Sequence, residues 1–169
     1  MADLSRYLES TRDPQAHSIR CSLQAPDHAN TDFLSGSPLA ALKTLSFSKQ
    51  IDLQQWAALA FANIPKKKDR RVERSALNLI LHLLESCDAS VQEAACIALE
   101  NFAINGEYFS VPARRRILTP SSTDNNRRLI VILGGLGPLI RLMQSPAIGI
   151  QRHASGCVLA LVINSANQN

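Results

Sequence analysis

Aromatic residues make up only 5% of the 169 residues, and no apolar run approaches the roughly 20 residues that a membrane-spanning helix needs. The N-terminal "MADLSRYLES" lacks the apolar core of a signal peptide. Many of the hydrophobic residues are Ala and Leu, which favours closely packed helices over a sheet. A chain of this length can bury a substantial core. We therefore expect a soluble, intracellular, all-α protein.

Sequence motifs for catalysis or metal binding are also missing. The cysteines (Cys21, Cys87, Cys96 and Cys157) show no CxxC spacing, and the four histidines do not pair with cysteines or carboxylates at metal-ligand spacing. The string "GGLG" lacks the Lys-Ser/Thr of a phosphate-binding loop. We predict that the protein is not an enzyme and has no cofactor or metal. Cys96 and Cys157 are predicted to be reduced core residues.

What the sequence does contain is an internal repeat. Three segments align without gaps when Gln54, Gln92 and Gln151 are superposed. Each has an apolar residue fifteen, twelve, nine and one residues before the glutamine and seven residues after it. Serine always lies six residues before the glutamine, and alanine three residues after it (Ser48, Ser86, Ser145; Ala57, Ala95, Ala154). Agreement at so many intervals indicates repetition of one structural unit.

The spacing predicts three helices in each unit. The early apolar positions form a short amphipathic helix, and the later ones form a longer third helix. A more polar first helix precedes them, "KKKDRRVERSAL" in the second unit and "NNRRLIVILGG" in the third, where Gly134 and Gly135 end it. Three helices with a period near 40 residues indicate an armadillo-type, right-handed solenoid of about three repeats. We place the repeats in 31–164, at about 35–64, 65–105 and 124–164, between a partly disordered segment 1–30 and a tail 165–169.

One segment interrupts the period. The interval from Gln54 to Gln92 is 38 residues, but that from Gln92 to Gln151 is 59. Removing the 18 residues of "GEYFSVPARRRILTPSST", 106–123, restores a period of 41. We interpret 106–123 as a disordered insert between repeats. A sharper hypothesis is a retained intron, because codons for Gly106-Glu107-Tyr108 and Thr123-Asp124 can supply splice-site sequences in the same phase.

The net charge of +4 is concentrated in "PKKKDRRVER", Pro65 to Arg74, which holds six basic and two acidic residues. This run resembles a nuclear localisation signal, but at the first-helix position of the second repeat a solvated charged face is the simpler interpretation. No aromatic side chains are interleaved for base stacking. We therefore predict no nucleic-acid partner.

The strings "DFLSGSPLAALKTLSFSKQIDLQQWAALAFANI", "LHLLESCDASVQEAACIALENFAIN" and "RRLIVILGGLGPLIRLMQSP" closely resemble the first armadillo repeats of the fungal vacuolar protein 8 family. The resemblance covers roughly 30–157 and implies an adaptor on the vacuole surface. It implies roles in vacuole inheritance, vacuole fusion, nucleus–vacuole contact or selective autophagy. Because the family has many more repeats, we expect this chain to be an N-terminal fragment.

The resemblance also implies membrane association, but the acylation signal of the family is missing. Ala2 follows Met1 where N-myristoylation requires glycine, and Cys21 is only a weak candidate for palmitoylation. The expected location is the cytoplasm, at the vacuole membrane surface if the family role holds. The sequence leaves the oligomeric state open.

Third helices line the groove of armadillo proteins, so we predict that partner proteins bind there. The predicted groove residues are Trp56, Leu59, Asn63, Ala94, Ile97 and Asn101. The two asparagines could hydrogen-bond an extended peptide, or could instead satisfy carbonyls near helix ends. Trp56 could anchor a partner or pack on a neighbouring repeat.

Two alternative functions stay open. An importin-alpha-like cargo receptor would bind basic peptides, but such grooves place a Trp one turn before each Asn, to form slots for lysine stems. Here Leu59 and Ile97 occupy those positions. The other alternative is a truncated or mispredicted product without function.

Overall fold

The computed structural model describes residues 32–64, 70–104 and 122–163. These ranges form seven helices and no strand, which confirms the all-α prediction. The helices are α1 (Gly36–Ser46), α2 (Ile51–Ala62), α3 (Arg74–Leu84), α4 (Ala89–Ala103), α5 (Ser122–Ile132), α6 (Leu136–Leu142) and α7 (Ile148–Val162).

The helices stack in the predicted repeat order. The second and third helices of the three units are α1–α2, α3–α4 and α6–α7, and α5 is the first helix of the third unit. The third helices pack consecutively, α2 against α4 and α4 against α7. The repeated alanines (Ala57, Ala95 and Ala154) are fully buried. A methyl side chain at this position lets neighbouring helices approach closely.

The repeated Gln and Ser close the turn between the second and third helices of every unit. The glutamine Nε2 donates to the carbonyl oxygen of the serine six residues earlier. The distances are 2.8 Å for Gln54 and Ser48, 2.8 Å for Gln92 and Ser86, and 2.7 Å for Gln151 and Ser145. The serine hydroxyls accept the backbone N–H two residues onward, at Gln50, Asp88 and Ala147. The register found in the sequence thus corresponds to a repeated turn-closing hydrogen bond.

The predicted first helix of the second unit is wrong for residues 70–73, which are not helical; α3 begins at Arg74. A side chain of the third unit binds this stretch instead. Asn126 Oδ1 accepts the Val72 N–H at 3.0 Å, and Asn126 Nδ2 donates to the Arg70 carbonyl at 2.9 Å. Because these backbone groups have partners outside a helix, and Val72 is 2% exposed, the segment is held in place in a non-helical conformation. Residues 65–69 lie outside the described ranges.

Two adjacent glycines end α5, as predicted. Gly134 has φ +83°, in the left-handed region that glycine adopts without steric cost. Its N–H donates to the Val131 carbonyl, and the Gly135 N–H donates to the Ile130 carbonyl, both at 2.9 Å. A Cβ on Gly135 would lie 2.8 Å from Ile130 Cγ2 and 3.0 Å from Leu81 Cδ2. The first glycine therefore supplies the conformation and the second supplies the space.

The start of α5 corrects the end of the predicted insert. Ser122 and Thr123 belong to the helix, so the insert cannot extend to residue 123 as an irregular loop. Residues 106–121, the N-terminal segment with Cys21, and the tail 165–169 lie outside the described ranges. Within those ranges, no helix has the length and apolar character needed to cross a membrane.

Candidate functional site

The candidate site is the third-helix face, which we define as the accessible side of α2, α4 and α7. Leu59 is 39% exposed, Trp56 and Ile97 are half-buried, and Asn63 lies exposed at the C-terminal cap of α2. Trp56, Leu59 and Ile97 leave apolar surface accessible on two successive third helices. The prediction fails for Ala94, because its methyl group is only 3% exposed and cannot line an open groove.

Asn101 has a partner inside the protein. Its Nδ2 donates to the carbonyl oxygen of Ala62, at the end of α2, at 3.1 Å. This is the helix-end contact that the sequence left open as an alternative. The contact links two repeats and uses one amide hydrogen of Asn101, so the amide oxygen and one N–H stay available for a ligand.

Two glutamates extend the third-helix face, and sequence reasoning missed them. Glu93 and Glu100 lie seven residues apart on α4, directly over Gly149 and Gly156 of α7, where a Cβ would collide with their carboxylates. Glu100 Oε2 is 2.6 Å from His153 Nδ1. The two glycines seven residues apart inside α7 could have indicated this contact from the sequence. Glycine destabilises a helix interior, so it is expected there mainly where another group approaches closely.

The cysteines beneath this face are unsuited to nucleophilic chemistry. Cys96 and Cys157 are fully buried. Burial raises the pKa of the Cys96 thiol to about 12, with a smaller contribution from Glu100 and Glu93. Burial also raises the pKa of Cys157, helped by its proximity to Cys96. Both thiols therefore stay protonated near neutral pH. Among the described residues, no group of three or more His, Cys, Asp or Glu side chains could hold a metal ion.

Comparison with known proteins agrees with the repeated helical architecture. The family described as "Armadillo/beta-catenin-like repeat" matches residues 123–159. The crystal structure of an engineered protein superposes with a TM-score of 0.59 at 22% identity, over 95% of this chain and 63% of that one. A designed armadillo repeat protein in complex with the peptide (KR)4 superposes with a TM-score of 0.58 at 15% identity, over 97% and 70%. The chain is an armadillo-repeat protein.

The curated relatives identify the particular branch. The chain is 44% identical over 110 residues to vacuolar protein 8 of Aspergillus fumigatus, covering 65% of this chain and 16% of the relative. It is 42% identical over 135 residues to that of Chaetomium globosum, covering 80% and 18%. It is 44% identical over 110 residues to vacuolar protein 8 of Saccharomyces cerevisiae, covering 65% of this chain and 16% of the relative. The resemblance to the vacuolar protein 8 family is confirmed, and the chain spans less than a fifth of these relatives' length.

Proposed function

We propose that this chain is a non-enzymatic adaptor that docks extended segments of partner proteins on its third-helix face. The observation that carries the proposal is the continuous stack of α2, α4 and α7, with Trp56, Leu59 and Ile97 accessible along it. Large apolar side chains of this kind anchor peptides. The unused amide groups of Asn101 can pair with the peptide backbone.

The relatives' name supports a role at the vacuole. We propose that the adaptor works at the cytoplasmic surface of the vacuole membrane, in inheritance, fusion, nucleus–vacuole contact or autophagy. Fractionation of fungal cells expressing the tagged chain tests the location. Recovery of the tagged chain in the vacuole fraction is the expected result. Absence from the vacuole fraction would contradict this proposal.

A basic-peptide receptor is the second candidate, and Glu93 and Glu100 favour it. Their carboxylates put negative charge on the third-helix face, and the designed relative was solved with (KR)4. One feature weighs against this candidate. His153 Nδ1 lies 2.6 Å from Glu100 Oε2, so this carboxylate already has a partner within the protein. We therefore rank it below an adaptor for mixed-sequence peptides.

A peptide selection distinguishes the two candidates. Random peptides displayed on phage are selected against the whole chain, and binders are retested by fluorescence polarisation. Trp56→Ala and the pair Leu59→Ala with Ile97→Ala should weaken binding roughly tenfold or more. Ile140→Ala is the matched control, because Ile140 is 51% exposed on α6 and lies outside the third-helix face. Binders dominated by Lys and Arg and insensitive to these variants would favour the second candidate.

A further inference from the structure

The two interfaces between successive units differ where the end of the second helix of one unit meets the second helix of the next. At the first interface, Phe47 from the turn after α1 stacks on His82 of α3, with ring centroids 4.4 Å apart. Glu85 lies 38 residues after Phe47, at the equivalent position of the second unit. Arg141 lies 59 residues after His82, at the equivalent position of the third unit. The second interface accordingly holds a Glu85–Arg141 ion pair, with Arg141 Nη2 3.4 Å from Glu85 Oε1. An aromatic stack in one interface is thus replaced by an exposed ion pair in the next.

A cavity that is open to solvent on one side lies in the second interface at this point. Its volume is about 370 Å³, at the small end of the roughly 300–1,000 Å³ typical of ligand pockets. Leu84, Leu142 and Pro138 supply apolar wall, and Glu85 and Arg141 are also part of the lining. Pro138 replaces the buried Leu79 of the preceding unit. The equivalent positions of the first interface hold the Phe47 ring and the buried Leu79 side chain.

The polar lining also differs between the interfaces. At the first, the Ser86 hydroxyl donates to Gln54 Oε1 at 2.8 Å and links the two units. The corresponding side chains at the second interface, Gln92 and Ser145, both line the cavity. Each side chain already makes one hydrogen bond within its own turn. Gln92 Nε2 donates to the Ser86 carbonyl, and Ser145 Oγ accepts the Ala147 N–H. Gln92 Oε1 and the Ser145 hydroxyl hydrogen can therefore serve an incoming amide.

We propose that this cavity is a second binding site, separate from the third-helix face, which takes an aromatic side chain from a partner polypeptide. The inserted ring takes the position, partly exposed to solvent, that Phe47 has at the first interface, where Phe47 is 57% exposed. It packs on Leu84, Leu142 and Pro138 and stacks on the Arg141 guanidinium, where Phe47 stacks on His82. The partner's backbone amide groups pair with Gln92 and Ser145. The Glu85–Arg141 ion pair can separate at little cost in free energy, because both side chains are exposed, at 58% and 68%.

The test uses the whole chain and N-acetyl-phenylalaninamide as the probe, with N-acetyl-alaninamide as the ring-free comparison. Side-chain amide signals of Gln92 and Gln144, followed by two-dimensional NMR, report on the cavity. The phenylalanine probe should shift both signals, saturating in the millimolar range expected of so small a ligand, while the alanine probe leaves them unchanged. Equal shifts with both probes, or no shift at the solubility limit, would overturn the proposal.

Variants that copy the first interface provide the decisive comparison. Glu85→Phe with Arg141→His rebuilds the Phe47–His82 stack inside the cavity, so probe binding should weaken roughly tenfold or more while the melting temperature stays level or rises. Pro138→Leu, which restores the Leu79 equivalent, should weaken binding independently. Glu73→Phe with Arg74→His makes the same exchange at the opposite end of α3 and should bind normally.

Retained binding in the first double variant would overturn the assignment. So would cavity signals that shift with protein concentration alone, since a second copy would then be the occupant. Neither result bears on peptide binding at Trp56 and Ile97.

Discussion

Asn126 holds the backbone of Val72 across 54 residues of sequence: the Val72 N–H donates to Asn126 Oδ1 at 3.0 Å. The same side chain donates to the carbonyls of Arg70 and Phe102, at 2.9 and 3.4 Å, and is only 2% exposed. Arg127, its neighbour, donates from Nε to the Ala103 carbonyl at 2.6 Å. These two side chains join the first helix of the third unit to the backbone of the second.

Replacing Asn126 should therefore be costly. Asn126→Ala leaves the buried Val72 N–H and the partly buried Arg70 carbonyl without a side-chain partner, and we expect a loss of about 2–3 kcal/mol in the free energy of unfolding. Urea denaturation followed by circular dichroism measures it. The control is Asn125→Ala, because Asn125 is the exposed neighbour on the same helix; it should change stability by less than about 0.5 kcal/mol. Equal effects of the two variants would contradict the assigned contacts.

The two glycines after α5 should respond differently from the glycine in α6. Gly134→Ala forces a left-handed conformation on alanine, at about 1–2 kcal/mol. Gly135→Ala forces a methyl group against Ile130 and Leu81, at about 1–3 kcal/mol. Gly137→Ala should be neutral or slightly stabilising, because a Cβ there would meet only Arg141 Nη1, at 4.0 Å. Thermal melts of the three variants compare them directly, and a Gly137→Ala loss as large as that of Gly135→Ala would refute this account.

The buried thiols predict a loss of stability in alkali. The unfolded chain releases the Cys96 proton near pH 9.0, whereas the folded chain holds it to about pH 12. The folded state thus binds more protons in this window, so the contribution is complete below about pH 9 and declines as pH rises toward 12. Urea midpoints across this range should fall. The urea midpoint should fall less with pH in the double variant Cys96→Ala/Cys157→Ala. The same dependence of the midpoint on pH in both proteins would contradict the assignment to the buried thiols.

Deleting residues 106–121 should leave the fold intact or make it more stable. The Asn126 and Arg127 contacts connect the flanking units without using this segment, and the deletion keeps all of α5 and restores a near-normal repeat period. Cooperative unfolding at an equal or higher midpoint is the expected result. A deletion variant that unfolds without cooperativity would show that the segment is required. Sequencing mature transcripts tests the intron hypothesis separately: codons for residues 106–123 in every message would exclude it.

The sequence predicted the repeat better than it predicted the contacts between repeats. Gln54, Gln92 and Gln151 revealed the register because their turn-closing bond forms within one unit, and such local constraints recur at fixed spacing. The Asn126–Val72 hydrogen bond occurs once and joins segments that are distant in sequence, so the repeat pattern could not predict it. Residues 70–73, predicted to be helical, are instead held by this bond. The burial of Ala94 and the placement of Glu93 over Gly149 likewise depend on how α4 packs against α7.

The central claim is that the third-helix face binds extended peptides. Its most direct test is paramagnetic NMR on the whole chain with a selected peptide that carries a nitroxide at its centre. We predict strong broadening of the backbone amide signals of Trp56, Leu59 and Ile97 and of nearby α7 residues such as His153, with the signals of α1, α3 and α6 retained. Broadening centred on α1, α3 or α6, with the signals of α2 and α4 unaffected, would contradict the claim.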